Sequence, residues 1–374
     1  MNLKLSEEQE MLRTMAKDFL TDKYPKTVVK EILASESGYS PESWKEMADL
    51  GWQGLVIPDN YGGNGMTFQD LAILLEEMGR ACLPAPFFAT VLLGAYPIME
   101  AGTEEQKKEY LPKIAGGTTI FTLALNELDG QYEAASIETK ATADKDEYVI
   151  NGTKMFVPSA NIADYMLVAA RTGAGEEGVT LFIVDAKSEG IKVEVLKTID
   201  NEKLCEVVFT NVKVPKANIL GKPDGGWAEV KKIIERAAVA KCADMVGILQ
   251  GALEMTVQYA KDRKQFDQPI GKFQVIQHYC ANMATDVEGL RFVTNQAVWL
   301  KSEGMPCARE VSVAKAWAGE SSDRVTALAH QIHGAIGVTI DHDLQYFTKR
   351  AKAAVPTFGD GDYHREIVAR EMGL

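Results

Sequence analysis

Apolar positions recur at helical spacing in the first third of the chain, alternate in the middle, and return to helical spacing from there to the end. After Ser6, the residues Met11, Leu12, Met15 and Leu20 follow a helical period, and Gln9 three residues on completes a capping-box signature. Further helices are predicted near residues 40–50, with Pro41 in the first turn, over 68–80, and from 103 to 111 onward, with a loop over 58–65. Between about 118 and 221 the period is two. Residues 148–150 and 154–157 read as a hairpin whose two-residue turn is Asn151-Gly152, the favoured pair for that turn. More strands are expected over 165–170, 179–184, 192–196 and 207–214, joined by turns too short for helical crossovers. From Trp227 on, three long apolar-periodic segments (227–263, 271–302 and 307–336) predict a four-helix bundle, and Gly304 and Pro306 part the last two. The fold class expected is therefore α+β: an N-terminal all-α domain (1–117), a small central antiparallel β domain (118–222) and a C-terminal four-helix bundle (223–374).

Composition narrows the function classes. At 374 residues the chain is longer than one core usually holds, which agrees with several domains. A formal net charge of -13 argues against a nucleic-acid binder, which carries a basic face. The five cysteines (Cys82, Cys205, Cys242, Cys280 and Cys307) form no metal-ligand or redox-motif pair, so a reduced, cytoplasmic compartment is expected. Cys242 and Cys280 fall on helical faces as small apolar residues. Five scattered histidines give no metal site. Residues 1–10 lack the basic start and apolar run of a secretory signal. The least charged stretch, 237–260, is broken by Lys241, Asp244 and Glu254, so no membrane span is expected.

Four motifs in sequence order point to one family. Pro58-Asp59-Asn60-Tyr61-Gly62-Gly63-Asn64-Gly65 is followed by Glu76-Glu77-Met78-Gly79-Arg80. Asn151-Gly152-Thr153-Lys154-Met155-Phe156-Val157 precedes Ala163-Asp164. Arg263-Lys264-Gln265-Phe266 precedes Pro269-Ile270-Gly271-Lys272-Phe273-Gln274, and Gln331-Ile332-His333-Gly334-Ala335-Ile336-Gly337 comes last. Across nearly the whole chain this pattern resembles the acyl-CoA dehydrogenase family. The resemblance implies an FAD cofactor, an acyl-CoA substrate, an electron-transferring flavoprotein as acceptor, and a tetramer, either homomeric or mixed with a paralogous subunit. It places Arg263 on the FAD pyrophosphate, where a guanidinium gives a forked, charge-assisted contact, with Phe266 and Gln274 on the same loop. Gln331 and Gly334 would complete a neighbouring subunit's FAD site; the plain alternatives are a helix-face glutamine and a helix end. Phe156 takes the position of the aromatic wall beside the flavin, against the alternative of a core phenylalanine. Pro158 stands where the family often has a flavin-bonding hydroxyl, which moves that role to Ser159. Asn126 and Glu127 keep part of the family's flavin and pantetheine loop, whereas Leu128, Asp129 and Tyr132 depart from it. Arg236 is a candidate for the substrate's CoA or thioester side; the alternative is an ion pair. Glu76, Glu77 and Arg80 read as charges on a helix face.

The family's usual base is a glutamate near the C-terminus, and the matching position here is Phe358, which takes no proton. Some relatives carry the glutamate at the start of the bundle, where this chain has Ala237 and Ala238; Glu235 lies about 200° around the helix from that position. Asp360, between Gly359 and Gly361, is the catalytic candidate, with a turn-forming aspartate as the alternative. The Phe-Gly-Asp…His-Arg ending resembles a subgroup acting on bulky, alicyclic or steroid-side-chain CoA esters, some of whose members form heteromers. Two functions are expected from this: α,β-dehydrogenation of a bulky, branched or cyclic acyl-CoA ester, or a non-catalytic subunit that completes a partner's FAD site.

Overall fold

A computed structural model describes residues 4–175 and 178–374. The N-terminal reading of residues 1–10 therefore falls partly outside the described residues. The helices are α1 (Glu7–Lys23), α2 (Lys26–Ala34), α3 (Pro41–Asp49), α4 (Phe68–Ala81), α5 (Tyr96–Ala101), α6 (Glu104–Ala115), α7 (Gly226–Asp262), α8 (Gln274–Ser302), α9 (Ala308–His333), α10 (Ala335–Val338), α11 (Leu344–Ala354) and α12 (Gly361–Glu371). The strands are β1 (Phe121–Ala124), β2 (Lys140–Asp144), β3 (Glu147–Pro158), β4 (Tyr165–Arg171), β5 (Val179–Asp185), β6 (Ile191–Val195), β7 (Leu204–Pro215), β8 (Ile219–Leu220), β9 (Lys264–Gln265) and β10 (Gln268–Pro269). An N-terminal helical region, a small central sheet and a C-terminal helical region follow one another, as the periodicities imply. Among the described residues, no helix is long and apolar enough to cross a membrane.

The chain divides into two compact units. One holds residues 1–30, 67–83 and 238–374; the other holds 31–66 and 84–237. In the first, α4 and α7 approach at two glycines. A Cβ on Gly247 would stand 1.8 Å from the Glu76 carbonyl oxygen, and one on Gly79 would stand 2.0 Å from that of Asp244. Gly247→Ala is therefore expected to force the helices apart and cost about 1–3 kcal/mol, read as a lower denaturation midpoint; an unchanged midpoint would show that the crossing yields freely. Tight approach also explains why Glu76 and Glu77 are not solvated helix-face charges. Both are buried, Glu76 pairing with Arg13 and Arg291, and Glu77 with Arg80 at 2.9 Å. Capping boxes at Ser6 and Thr67 open α1 and α4.

The second unit contains the sheet, ordered β6-β7-β3-β2-β4-β5-β8, with β1 parallel to β4. Its core includes Ile150, Val157, Met166, Val168, Phe182, Val207 and Phe209. The hairpin expected at Asn151-Gly152 is not formed. β3 runs unbroken from Glu147 to Pro158, and the tight turn lies at Lys145-Asp146. Because β3 pairs with β7 along its length, Asn151 serves a bulge instead: its Oδ1 accepts the N–H of Asn211, which sits at φ 53°. Turn chemistry was present, but a partner strand on that edge outweighed it.

Candidate active site

In the sheet-bearing unit, one buried ion pair sets the local geometry. Lys154 is fully buried on β3, and its Nζ donates to Glu127 Oε1 at 2.6 Å and to the Leu125 carbonyl at 3.0 Å. Glu127 also accepts the N–H groups of Glu138 at 2.9 Å and Thr139 at 3.0 Å. Burial pushes Lys154 down to about 8 despite its carboxylate partner, and Glu127 lies below its usual value through Lys154 and the Thr139 N–H, against its own burial. The pair fixes Asn126, whose carbonyl accepts the Met155 N–H at 2.8 Å and whose amide reaches the Tyr132 hydroxyl at 3.4 Å.

Two residues beyond Lys154 the β3–β7 register slips again, between Lys154 and Val157, and the extra residue lies on β3. Phe156 occupies this bulge at φ 55°, and its ring is half exposed. A bulge re-aims a side chain that strict alternation would direct elsewhere. Ser159 follows at φ 55°, its N–H held by the Lys203 carbonyl at 2.7 Å. Arg236, on α7 in the same unit, is buried, its Nη1 donating to Glu100 Oε2 at 2.9 Å, with the guanidinium 4.3 Å from the Tyr96 ring centroid. Thr90 is buried too, its hydroxyl on the Phe121 backbone.

The helical unit carries the remaining cofactor candidates. After α7 ends, the Arg263 carbonyl accepts the Ile270 N–H at 2.8 Å and closes the small β9–β10 hairpin. Its turn is Phe266-Asp267, both at positive φ (52° and 62°), and the Phe266 ring is 87% exposed. Arg263 is exposed, and its guanidinium makes no hydrogen bond or ion pair among the described residues. Gln274 opens α8 and is exposed, as is Gln331 on α9. Gly334 ends α9 at φ 63° and ψ -144°, a conformation open to glycine alone. An exposed cation and an exposed aromatic ring held out by left-handed backbone on one small hairpin suit an anionic, aromatic ligand, so Arg263 and Phe266 fit FAD.

The segment between α11 and α12 carries Phe358. This residue is 9% exposed and holds φ 61°, uncommon for a bulky side chain. Two buried polar side chains grip the segment. Lys315, on α9, donates from Nζ to the carbonyls of Val355 at 2.7 Å and Gly359 at 2.8 Å. His364, on α12, has Nε2 2.9 Å from the Phe358 carbonyl and Nδ1 3.1 Å from the Ser312 hydroxyl. A carbonyl only accepts, so Nε2 carries the proton and Nδ1 accepts from Ser312. Burial pushes Lys315 down to about 8. Asp360 is exposed and caps α12, its Oδ1 accepting the N–H groups of Asp362 at 3.1 Å and Tyr363 at 2.9 Å.

His364 gives the fold an acid-sensitive point. Burial, opposed by the Phe358 carbonyl, lowers it from 6.5 to about 4. Between those values the unfolded chain binds a proton that the folded chain refuses, so its contribution is full above pH 6.5 and is lost as pH falls toward 4. The loss is roughly 3 kcal/mol at most. His364→Gln, which does not titrate, is expected to shrink the difference in unfolding free energy between pH 7 and pH 4.5. An equal difference in both proteins would place the acid sensitivity elsewhere.

The structure joins Arg263 and Phe266 in one hairpin, Asn126 and Phe156 through Met155, and Phe358 and Asp360 in one clamped segment. Lys315 was not singled out from the sequence, and Lys154, Glu127 and His364 stood there only as members of motifs, without these bonds. A signal existed: Lys154 shares strand parity with buried Ile150, and Lys315 lies on the buried α9 stripe of Val311, Ala318 and Val325. Cys242 is buried, whereas Cys280 is only partly so. Among the described residues no cluster of three or more metal-ligating side chains occurs.

Comparison with known proteins agrees with these motifs along the whole chain. Residues 6–118, 122–212 and 224–373 match the models of the acyl-CoA dehydrogenase N-terminal, middle and C-terminal domains. A probable acyl-CoA dehydrogenase of Bacillus subtilis is 34% identical, with 100% of both chains covered. The NADH-linked acryloyl-CoA reductase of Anaerotignum propionicum is 32% identical over 100% of this chain and 96% of its own. The butyryl-CoA dehydrogenase structure from Megasphaera elsdenii superposes with a TM-score of 0.95 at 28% identity, covering 100% of both chains. With all three domain models matched in order and full-length relatives above 30% identity, the chain belongs to the acyl-CoA dehydrogenase family, and it is an oxidoreductase of that family.

Proposed function

We propose that this protein uses FAD to remove hydrogen across the Cα–Cβ bond of a bulky, branched or cyclic acyl-CoA thioester. The observation that carries the reading is the 355–360 segment, in which buried side chains hold the backbone at the family's base position and the next carboxylate, Asp360, spends only Oδ1 on the helix cap. Asp360 takes the α proton on the oxygen that the cap leaves unused. Arg263 would hold the cofactor's pyrophosphate, Phe156 and Phe266 its aromatic portion, and Asn126, Ser159, Gln274, Gln331 and Gly334 its polar edges. When bound, FAD supplies a hydride acceptor for the β hydrogen and a route for the electrons to an electron-transferring flavoprotein. Phe358 supplies an apolar surface instead of a charge, which suits a bulky acyl group. Arg236, paired with Glu100, would reach the substrate's CoA side only by exchanging that partner. The acryloyl-CoA reductase relative works, by its name, toward the saturated ester, and the same residues serve either direction.

A second reading rests on the same phenylalanine: the chain is a subunit that completes a partner's FAD site and supplies no base. A tetramer, homomeric or mixed, accompanies either reading, supported by exposed apolar residues at Phe266, Val338 and Ile340. Purifying the protein alone, counting FAD per chain from its visible spectrum and adding acyl-CoA esters anaerobically separates the two. Bleaching by one ester class supports the self-sufficient enzyme. A colourless protein, or a yellow one that no ester bleaches, supports the partner-dependent subunit, and a monodisperse FAD-loaded monomer in sedimentation would remove the tetramer.

A further inference from the structure

We infer that Lys315 and His364 are positioning residues, which lock the backbone of the 355–360 segment so that Phe358 and Asp360 meet the acyl group in one fixed geometry. The inference rests on the proposed role of Asp360 and extends it to two residues that had no role assigned.

Three carbonyls of this short segment, those of Val355, Phe358 and Gly359, accept hydrogen bonds from just these two side chains. Both side chains are buried, Lys315 at 1% exposure and His364 at 2%. They approach from different helices, α9 and α12, so the segment is held from two directions. The held backbone is strained: Phe358 at φ 61° is followed by Gly359 at φ 96°. A bulky residue in the left-handed region is strained and persists only where its surroundings over-determine it. Buried donors on the carbonyls of Phe358 and Gly359 are such surroundings.

The choice of donors fits a positioning role. A neutral lysine amine still has two N–H groups, and Lys315 serves two carbonyls. Its grip therefore persists in either protonation state, although burial places its titration at about 8. The Phe358 carbonyl, which only accepts, fixes neutral His364 in the tautomer with its proton on Nε2, and the Ser312 hydroxyl satisfies Nδ1. Phe358 and Asp360 lie within or next to the gripped peptides, so loosening either donor moves both.

The test uses the full-length, FAD-loaded protein with Lys315→Met, His364→Leu and His364→Gln. Two quantities are read: hydrogen–deuterium exchange over residues 355–362, and the rate of flavin bleaching against ester concentration. Lys315→Met and His364→Leu are expected to speed exchange in this segment while α9 stays protected. They are also expected to lower the rate at saturating ester about 10- to 100-fold, with the half-saturating concentration nearly unchanged. His364→Gln keeps an N–H in reach of the Phe358 carbonyl and is expected to restore both readouts toward wild type. Exchange over 355–362 as slow as in wild type overturns the clamp. A rate that falls only in step with the folded, FAD-loaded fraction overturns the positioning role. If no ester bleaches the wild-type protein, the proposed activity fails and the positioning role with it, whereas exchange still decides whether the two side chains grip the segment.

Discussion

Lys154→Met is expected to lower the free energy of unfolding by about 3–5 kcal/mol, the cost of leaving one member of a buried ion pair without the other. The Glu127 carboxylate would keep only the N–H groups of Glu138 and Thr139, in a site where Lys154 is wholly shielded from water. The damage would spread, because the pair ties the Asn126 loop to β3 just before the bulge at Phe156. FAD content per chain is therefore expected to fall along with stability. Denaturant unfolding and the visible spectrum measure the two effects. Removing both charges, with Lys154→Met and Glu127→Gln together, is expected to recover part of the loss, since a neutral amide is cheaper to bury than a lone carboxylate. A single-variant cost below about 1 kcal/mol would mean that water enters and screens the site, as it does for surface pairs.

The helical and sheet regions were legible because their periods differ and because the cap at Ser6 and Pro41 in a first turn mark real helix starts. The sequence misled where local chemistry met a competing long-range partner. Asn151-Gly152 is a strong turn pair, yet β7 runs beside it, bulges opposite it and is held there by Asn151. Conversely, Phe266-Asp267 is a poor turn pair on paper, and it makes the turn because β9 and β10 leave only two residues between them. Glu76 and Glu77 look solvated on one helix and become buried only once α4 meets α7 through its glycines.

The motif residues of the site were legible through resemblance, but what supports them was not. Lys315 acts on carbonyls 40 and 44 residues distant and His364 on one six residues before it, and carbonyls leave no trace in a sequence pattern. The physical hint was indirect: a lysine on a buried stripe must find acceptors. Likewise, the outward aim of Phe156 depends on a register slip, and strict alternation would have assigned the ring by parity alone.

Asp360→Asn is expected to slow ester-driven bleaching of the FAD-loaded protein about 10²- to 10⁴-fold, the usual worth of a positioned general base. The substitution is informative because it spares the fold. Asparagine is as good an N-cap as aspartate, so the bonds to the Asp362 and Tyr363 N–H groups survive and stability should change by only a few tenths of a kcal/mol. A slowed rate in a protein of unchanged melting temperature and FAD content would therefore report proton transfer and not a damaged loop. An unchanged rate would move the base off Asp360. The next variant is then Phe358→Glu, which places a carboxylate on a backbone already gripped by Lys315 and His364. If Phe358→Glu bleaches with esters that leave wild type untouched, the phenylalanine is what withholds chemistry from this chain, and the partner-completing subunit becomes the better description of it.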